Sequence, residues 1–247
     1  MISSSSFRLF SFCKRVLFHS SNSKTSNIDF IENKGLPKVV LNRPKALNSL
    51  NTEMVHDLSN LIPTIEKYPA FWMEGAGGKA FCAGGDVVSL FAEGAGVDVR
   101  EKFFRDEFGV DYRLATCKSL QIANWDGIVM GGGVGISHFA PFRIATENTL
   151  FAMPEAKIGF FTDVGTGATL ANLRNNIGMY LGLTSGRLKG EDVYNSGLAN
   201  YFVTRDSIPN IYNEISSAIP SSTNVAQTIQ SILQKYHKGQ KNKKISN

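Results

Sequence analysis

Two glycine turns and two later acids are the residues whose types and spacing could do chemistry together in this 247-residue sequence. The first turn, Ala83-Gly84-Gly85-Asp86, closes the short apolar run Ala80-Phe81-Cys82; the second, Gly131-Gly132-Gly133, closes Ile128-Val129-Met130. Each stands at a strand end ahead of a helical pattern, the second ahead of Val134-Gly135-Ile136-Ser137-His138-Phe139. Facing one another, two such turns can aim two backbone N–H groups at one oxygen, because glycine leaves no Cβ in the way. The second donor would also gain from the positive end of the helix behind it. That arrangement is an oxyanion hole, which stabilises the charge developed on an acyl oxygen. Glu155, behind Pro154, and Asp163, in a glycine-bounded segment, then supply carboxylates that can attack an acyl carbon or handle protons beside it.

Other chemistries fit poorly. Gly75-x-Gly77-x-x-Ala80 nominally matches a dinucleotide fingerprint, but Phe81-Cys82-Ala83 follows where a helix should open. A P-loop fails because Ala80, not Ser or Thr, follows Lys79, and Met73 replaces the leading glycine. Ser137 lacks the second glycine of a nucleophile elbow. The four histidines are dispersed, so no metal site is expected, and His138 reads as structural. Three cysteines, Cys13, Cys82 and Cys117, are too few and too scattered for a disulfide framework. A net charge of +5 points only weakly to a nucleic acid, and no DNA partner is expected. No apolar run approaches the ~18 residues of a membrane span, so no membrane association is expected.

The elements that must position these residues read as alternating strands and helices. Residues 1–26 have many serines, Arg8, Lys14, Arg15 and Lys24, and no acid, with apolar residues that could form one face of an amphipathic helix. This is the composition of a mitochondrial transit peptide and is set aside from the fold. Lys38-Val39-Val40-Leu41 reads as a strand, and Asn51 as the cap of a helix burying Met54, Val55, Leu58, Leu61, Ile62 and Ile65, which Pro63 should kink or end. Residues 70–74, 120–125 and 142–146 read as further strands, 93–113 as a helix, and the chain beyond Thr169 as shorter helices. The pattern implies one α/β domain over 27–236, followed by a polar, basic and solvated tail over 237–247.

Several blocks carry a resemblance: LNRPKALNSLN, GAGGKAFCAGGDV, DGIVMGGGVGIS, FRIATENTLFAMPEAKIGFFTDVG and LTSGRLKGEDVY. In this order they resemble the enoyl-CoA hydratase/isomerase (crotonase) superfamily, from about residue 30 to residue 236, and within it the branch that hydrolyses 3-hydroxyisobutyryl-CoA in valine degradation. The resemblance implies the crotonase, or ClpP-like, fold: repeated β-β-α units forming two roughly perpendicular sheets wrapped by helices. It implies that the N–H groups of Gly85 and Gly132 hold a thioester oxygen, where a side chain would block the carbonyl. The Ala83 backbone is implied to meet the adenine of CoA, with Lys45 and Ala46 bordering its nucleotide. Glu155 is implied to attack the thioester or activate water, with Asp163 positioning the substrate or assisting proton transfer. Glu107 is implied to be a further substrate-contacting acid, so that Glu107, Gly132, Glu155 and Asp163 all meet the acyl group. CoA enters as part of the substrate and no cofactor is implied. Hydratases of the superfamily carry a glutamate where this sequence has Gly135, which favours hydrolysis over hydration.

The sequence also departs from that branch. Thr162 stands where proline is usual, Thr166 replaces a glycine and adds a side chain near the pocket, and the proline usual before Leu120 is missing. The further, mainly helical C-terminal part of family members does not appear. A rival reading from another class is a non-catalytic component of the mitochondrial small ribosomal subunit, compatible with the basic balance, the leader and the lysine-rich end. Implied partners are therefore an acyl-CoA, copies of this chain in a homo-oligomer, and, on the rival reading, the mitoribosome.

Overall fold

The computed structural model describes residues 14–16, 27–33, 35–92 and 96–240, in which the chain moves back and forth between two sheets. The strands are β1 (Lys14–Val16), β2 (Ile28–Glu32), β3 (Lys38–Leu41), β4 (Ala70–Gly75), β5 (Ala80–Cys82), β6 (Leu120–Trp125), β7 (Ile128–Met130), β8 (Phe142–Ala145), β9 (Leu150–Ala152), β10 (Arg187–Lys189) and β11 (Tyr201–Phe202). The larger sheet has the order β1-β2-β3-β4-β6-β8-β11 and the smaller one β10-β9-β7-β5. Each pair β4–β5, β6–β7 and β8–β9 places one strand in each sheet before a helical segment follows, which is the expected β-β-α repeat. The helices are α1 (Thr52–Ile65), α2 (Val87–Leu90), α3 (Val97–Ala115), α4 (Gly132–Gly135), α5 (Thr166–Ala171), α6 (Ile177–Thr184), α7 (Glu191–Asn195), α8 (Ile208–Ala218) and α9 (Val225–Tyr236).

Residues of β4 alternate between the two faces of the larger sheet, as the two-residue period of a strand requires. Phe71 and Met73 join the core shared with α1, α3 and the smaller sheet. Ala70 and Trp72 join the second core, under α8 and α9. With both faces covered, β4 is apolar throughout residues 70–73.

Helix α1 forms where the apolar spacing predicts it, with Asn51 accepting from the Met54 N–H and all six expected residues buried. Pro63 does not end the helix, which runs on to Ile65. Proline removes the donor for the Ser59 carbonyl, and Arg113 replaces it with an Nη1 bond of 2.8 Å. The same bond ties α1 to α3.

Most of the expected leader, residues 1–26, lies outside the described residues; Lys14–Val16 pairs antiparallel with Phe30–Glu32 at the sheet edge. The start of the expected tail packs back on the domain, where Lys238 N–H donates to the Phe202 carbonyl at 2.8 Å and Phe202 N–H donates to His237 Nδ1 at 3.1 Å.

Candidate active site

Strands β5, β7 and β9 are parallel neighbours, so their carboxyl ends open on the same edge of the smaller sheet. The register sets Cys82 beside Val129, and Met130 beside Ala152. The residues that follow are therefore side by side: Ala83-Gly84-Gly85 after β5, Gly131-Gly132 after β7, and Met153-Pro154-Glu155 after β9. Three segments far apart in sequence converge because parallel pairing aligns strand ends.

The two glycine turns face each other. A Cβ built on Gly132 would stand 3.3 Å from the Gly85 nitrogen, and one built on Gly84 would stand 3.5 Å from the Gly132 nitrogen. Gly84 and Gly131 take φ values of 103° and 48°, which glycine adopts without the Cβ penalty. Leu50 bridges the first turn through its N–H to the Gly84 carbonyl and its carbonyl to the Asp86 N–H, both at 2.8 Å. Gly85 N–H is not among the backbone donors bonded in these turns of the described residues. Gly132 is the first residue of α4, so its N–H has no partner within the helix.

One expectation about these turns needs correction. The helix behind Gly132 is the single turn α4 rather than a helix over residues 134–139, so its dipole contributes little. A Cβ on Gly85 would meet Phe103 at an ordinary 3.6 Å, so among the described residues there is room for a side chain on the protein side of this turn. At Gly132 a Cβ would overlap Glu107 Oε1 and press on Leu50 Cδ1 at 3.3 Å.

Glu107 and Glu155 bracket the second turn. Glu107 comes from the inward face of α3 and Glu155 from the 3-10 turn after β9 (Glu155–Ile158). A Cβ on Gly131 would lie 2.9 Å from Glu155 Oε1. Glu107 Oε1 and Glu155 Oε2 are buried and make no hydrogen bond. Burial, reinforced by Asp163 and Glu155, pushes the Glu107 carboxyl up to about 8. Burial, with a smaller push from Asp163, takes Glu155 up to about 7, and burial takes Asp163 up to about 6. Buried carboxyls without a cation hold their protons because the charged form loses its hydration.

Asp163 reaches the cluster on a strained turn. Val164 has φ 48°, an outlier for a β-branched residue, and Gly165 has φ 74°. Two contacts hold the turn. Thr166 donates its N–H at 3.0 Å and its hydroxyl at 2.7 Å to the Asp163 carbonyl. His138 Nε2 lies 3.2 Å from the Val164 carbonyl and its Nδ1 lies 2.9 Å from Thr169 Oγ1. A carbonyl only accepts, so Nε2 carries the proton and Nδ1 accepts from the Thr169 hydroxyl. Burial keeps this ring neutral, down to about 4. The Thr166 hydroxyl, expected near the pocket, is turned onto the backbone of its own loop. Ser137 is also structural, donating to the Gly133 carbonyl at 2.7 Å and accepting from Trp125 Nε1 at 2.9 Å.

The segment holding Lys45 and Ala46 forms a short 3-10 turn (Pro44–Ala46). Ala83 N–H donates to the Leu47 carbonyl at 3.1 Å, which sets that turn against the end of β5. Lys45 is exposed and Ala46 and Ala83 are half-buried, and their segment lies against the first glycine turn.

Sequence reasoning missed Asp111. It shares the buried face of α3 with Phe103, Glu107, Val110 and Leu114, and its carboxyl lies against Gly135. An acid inside an apolar stripe at helical spacing was the available signal.

Comparison with known proteins agrees with this geometry. The family model described as enoyl-CoA hydratase/isomerase matches residues 36–247. The chain is 42% identical over 207 residues to 3-hydroxyisobutyryl-CoA hydrolase, mitochondrial, of Xenopus laevis, covering 82% of this chain and 54% of that protein. It is 40% identical over 242 residues to the protein of the same name from Homo sapiens, covering 94% and 62%. The chain thus spans a little over half the length of these curated relatives. Among solved structures, a carnitinyl-CoA dehydratase from Mycobacterium thermoresistibile superposes with a TM-score of 0.76 at 30% identity, covering 87% of this chain and 62% of that one. With its β-β-α repeat, its facing glycine turns and a family model matched over most of its length, the chain belongs to the enoyl-CoA hydratase/isomerase family and has the crotonase fold.

Proposed function

We propose that this protein hydrolyses the thioester of a 3-hydroxyacyl-CoA, with 3-hydroxyisobutyryl-CoA as substrate, giving 3-hydroxyisobutyrate and CoA. The observation that carries this reading is the convergence of the Gly85 and Gly132 N–H groups with Glu155 at the carboxyl ends of three neighbouring strands. The acyl group and a mitochondrial location follow the printed names of the hydrolases to which the chain is about 40% identical.

In this mechanism the thioester oxygen sits between the two N–H groups, which stabilise the negative charge as the carbonyl carbon becomes tetrahedral. Glu155 in its ionised form attacks that carbon or takes a proton from the attacking water. In both routes the C–S bond breaks and the sulfur leaves with a proton as the CoA thiol. When Glu155 acts as base, the water oxygen ends in the product carboxylate; when it attacks, water opens the acyl–Glu155 anhydride at the Glu155 carbonyl and the product keeps a glutamate oxygen. Asp163 orients the acyl group, and Glu107 receives its hydroxyl. Lys45, Ala46 and Ala83 border the CoA nucleotide. Water and thioester suffice, and no cofactor enters the balance.

Two features favour hydrolysis over hydration of a double bond. Position 135 carries no acid, and a Cβ there would stand 2.6 Å from Val164 Cβ, so no side chain fits. The orphaned oxygens of Glu107 and Glu155 also suit an acyl group bearing a hydroxyl donor.

The test is CoA release from a panel of acyl-CoAs, run beside hydration of crotonyl-CoA. Hydroxyacyl thioesters should be cleaved fastest; faster hydration of crotonyl-CoA overturns the assignment. Single turnover in ¹⁸O-water separates the two routes, since attack by Glu155 leaves label in its own carboxylate.

A further inference from the structure

Asp111 has no part in the mechanism above, yet it is among the most buried acids of the described residues, at 5% exposure. Neither of its carboxyl oxygens has a hydrogen-bond partner. A Cβ on Gly135 would lie 2.9 Å from its Oδ2 and 3.0 Å from its Oδ1, so the glycine makes room for this carboxyl. Glu107 stands one helical turn earlier on the same face of α3, with its own orphaned Oε1 against Gly132. The two acids of α3 therefore follow the one turn of α4 from the proposed oxyanion donor at Gly132 to Gly135. An acyl chain with its carbonyl oxygen on the Gly132 N–H would meet Glu107 on this wall, with Asp111 behind it.

A buried carboxyl without a partner destabilises the fold, and leucine of similar shape would remove that penalty. Groups kept at the expense of stability concentrate where function needs them. We propose that Asp111 is a positioning residue that acts through Glu107 and gives the α3 wall of the site its selectivity for a hydroxyl-bearing acyl chain. The inference rests on the acyl-CoA reading of the site.

The charge state of the wall agrees with this role. Asp111 faces Glu107 on its own helix and Asp163 on the loop beside Val164. Glu107 in turn meets Glu155, from the turn after β9, and the Cys82 thiol, from β5. Burial, then Glu107 and Asp163, push Asp111 up to about 9. Glu107 is pushed up to about 8, burial chiefly takes Cys82 up to about 12, and His138 is neutral. At neutral pH the Glu107–Asp111 wall is therefore uncharged and offers both O–H donors and carbonyl acceptors, which suits a hydroxyl better than an ion.

The experiment uses the full chain and two non-hydrolysable thioether analogues, of 3-hydroxyisobutyryl-CoA and of isobutyryl-CoA, titrated by calorimetry at pH 7. The wild type should prefer the hydroxylated analogue by about tenfold, the worth of one hydrogen bond. Asp111→Leu should keep or raise the melting temperature and reduce the preference to within about threefold. Asp111→Asn should keep most of the preference at pH 7 and lose it at alkaline pH in one ionisation where the wild type shows two. Wild-type preference in a folded Asp111→Leu protein overturns the proposal. If the leucine variant does not fold, the asparagine variant decides, and an alkaline limb identical to wild type overturns the proposal. Equal binding of the two analogues by the wild type overturns it as well. Hydroxyl preference without CoA release from any thioester would instead overturn the hydrolase reading alone.

Discussion

Gly132→Ala is the substitution whose consequence follows most directly from the geometry. The added methyl group would overlap Glu107 Oε1 and approach Leu50 Cδ1 and the Gly85 nitrogen, each at 3.3 Å. Non-bonded heavy atoms settle near ~3.5 Å, so the Glu107 carboxyl must retreat by about 1 Å or the Gly132 backbone must shift by a similar amount. A displacement of that size at a reacting centre costs about 10²-fold, and loss of one oxyanion donor costs about 10²–10³ in rate, or ~2.7–4 kcal/mol. We therefore expect kcat/KM for CoA release to fall by about 10²–10³. Stability should barely change, because alanine is the better helix former by ~0.5–1 kcal/mol and offsets part of the crowding. Gly133→Ala is the control. Its Cβ would collide with the Cys82 carbonyl and stand 2.7 Å from Cys82 Cβ, against backbone that cannot rotate away. That variant should lose ~1–3 kcal/mol of stability, with activity falling only in proportion to the folded fraction. Thermal melting and steady-state CoA release on both proteins check the pair. A folded Gly132→Ala protein within fivefold of wild-type kcat/KM would remove Gly132 from the chemistry.

Three further outcomes are expected. Glu155→Gln keeps the size and loses the base, so kcat should fall at least ~10²-fold with KM nearly unchanged, whereas a rise in KM alone would reassign Glu155 to binding; wild-type kcat should rise with pH through about 7 as this group ionises. Glu107, Asp111 and Glu155 are pushed above their unfolded values, so the folded chain binds more protons than the unfolded chain and stability should fall from about pH 3.8 to about 9; each such group contributes up to ~1.4 kcal/mol per pH unit, and Glu107→Gln should flatten the melting temperature against pH, an unaltered slope refuting the assignment. His138→Ala removes the donor on the Val164 carbonyl, so stability should drop by ~1–3 kcal/mol and kcat by about tenfold as Asp163 loses its position, while unchanged kcat in the folded variant would show that the Val164 turn holds itself.

The larger sheet and α1 were legible in the sequence because their signals are local. β3, β4, β6 and β8 are short apolar runs, and α1 has a cap and six apolar residues at helical spacing. The smaller sheet was less so, since β5, β7 and β9 are three residues each, too short to display a period. The passage of α1 through Pro63 depends on Arg113, fifty residues later, and no local pattern contains it. At the site the residue types were readable locally, while their meeting was expected from a conjecture of facing turns and from the resemblance, not from any local pattern. Gly85, Gly132 and Glu155 stood out as turn glycines and a loop acid. Their convergence depends on the parallel register of three strands, a long-range property that loop closure has to reach across.

That division explains which part of the site is firm and which is strained. The two glycine turns continue directly from strands whose register is fixed by pairing on both sides of β7, so their positions are inherited from the sheet. Asp163 has no strand behind it. It is carried by a loop with two successive positive φ values, one of them at a valine, an arrangement that costs about 1–3 kcal/mol and persists only if the surroundings impose it. They do so through bonds to the backbone of the turn: from His138, in the segment after α4, and from Thr166, at the start of α5. The acid most dependent on its supports is thus anchored to the same turn that presents Gly132, and a shift of α4 would move donor and acid together.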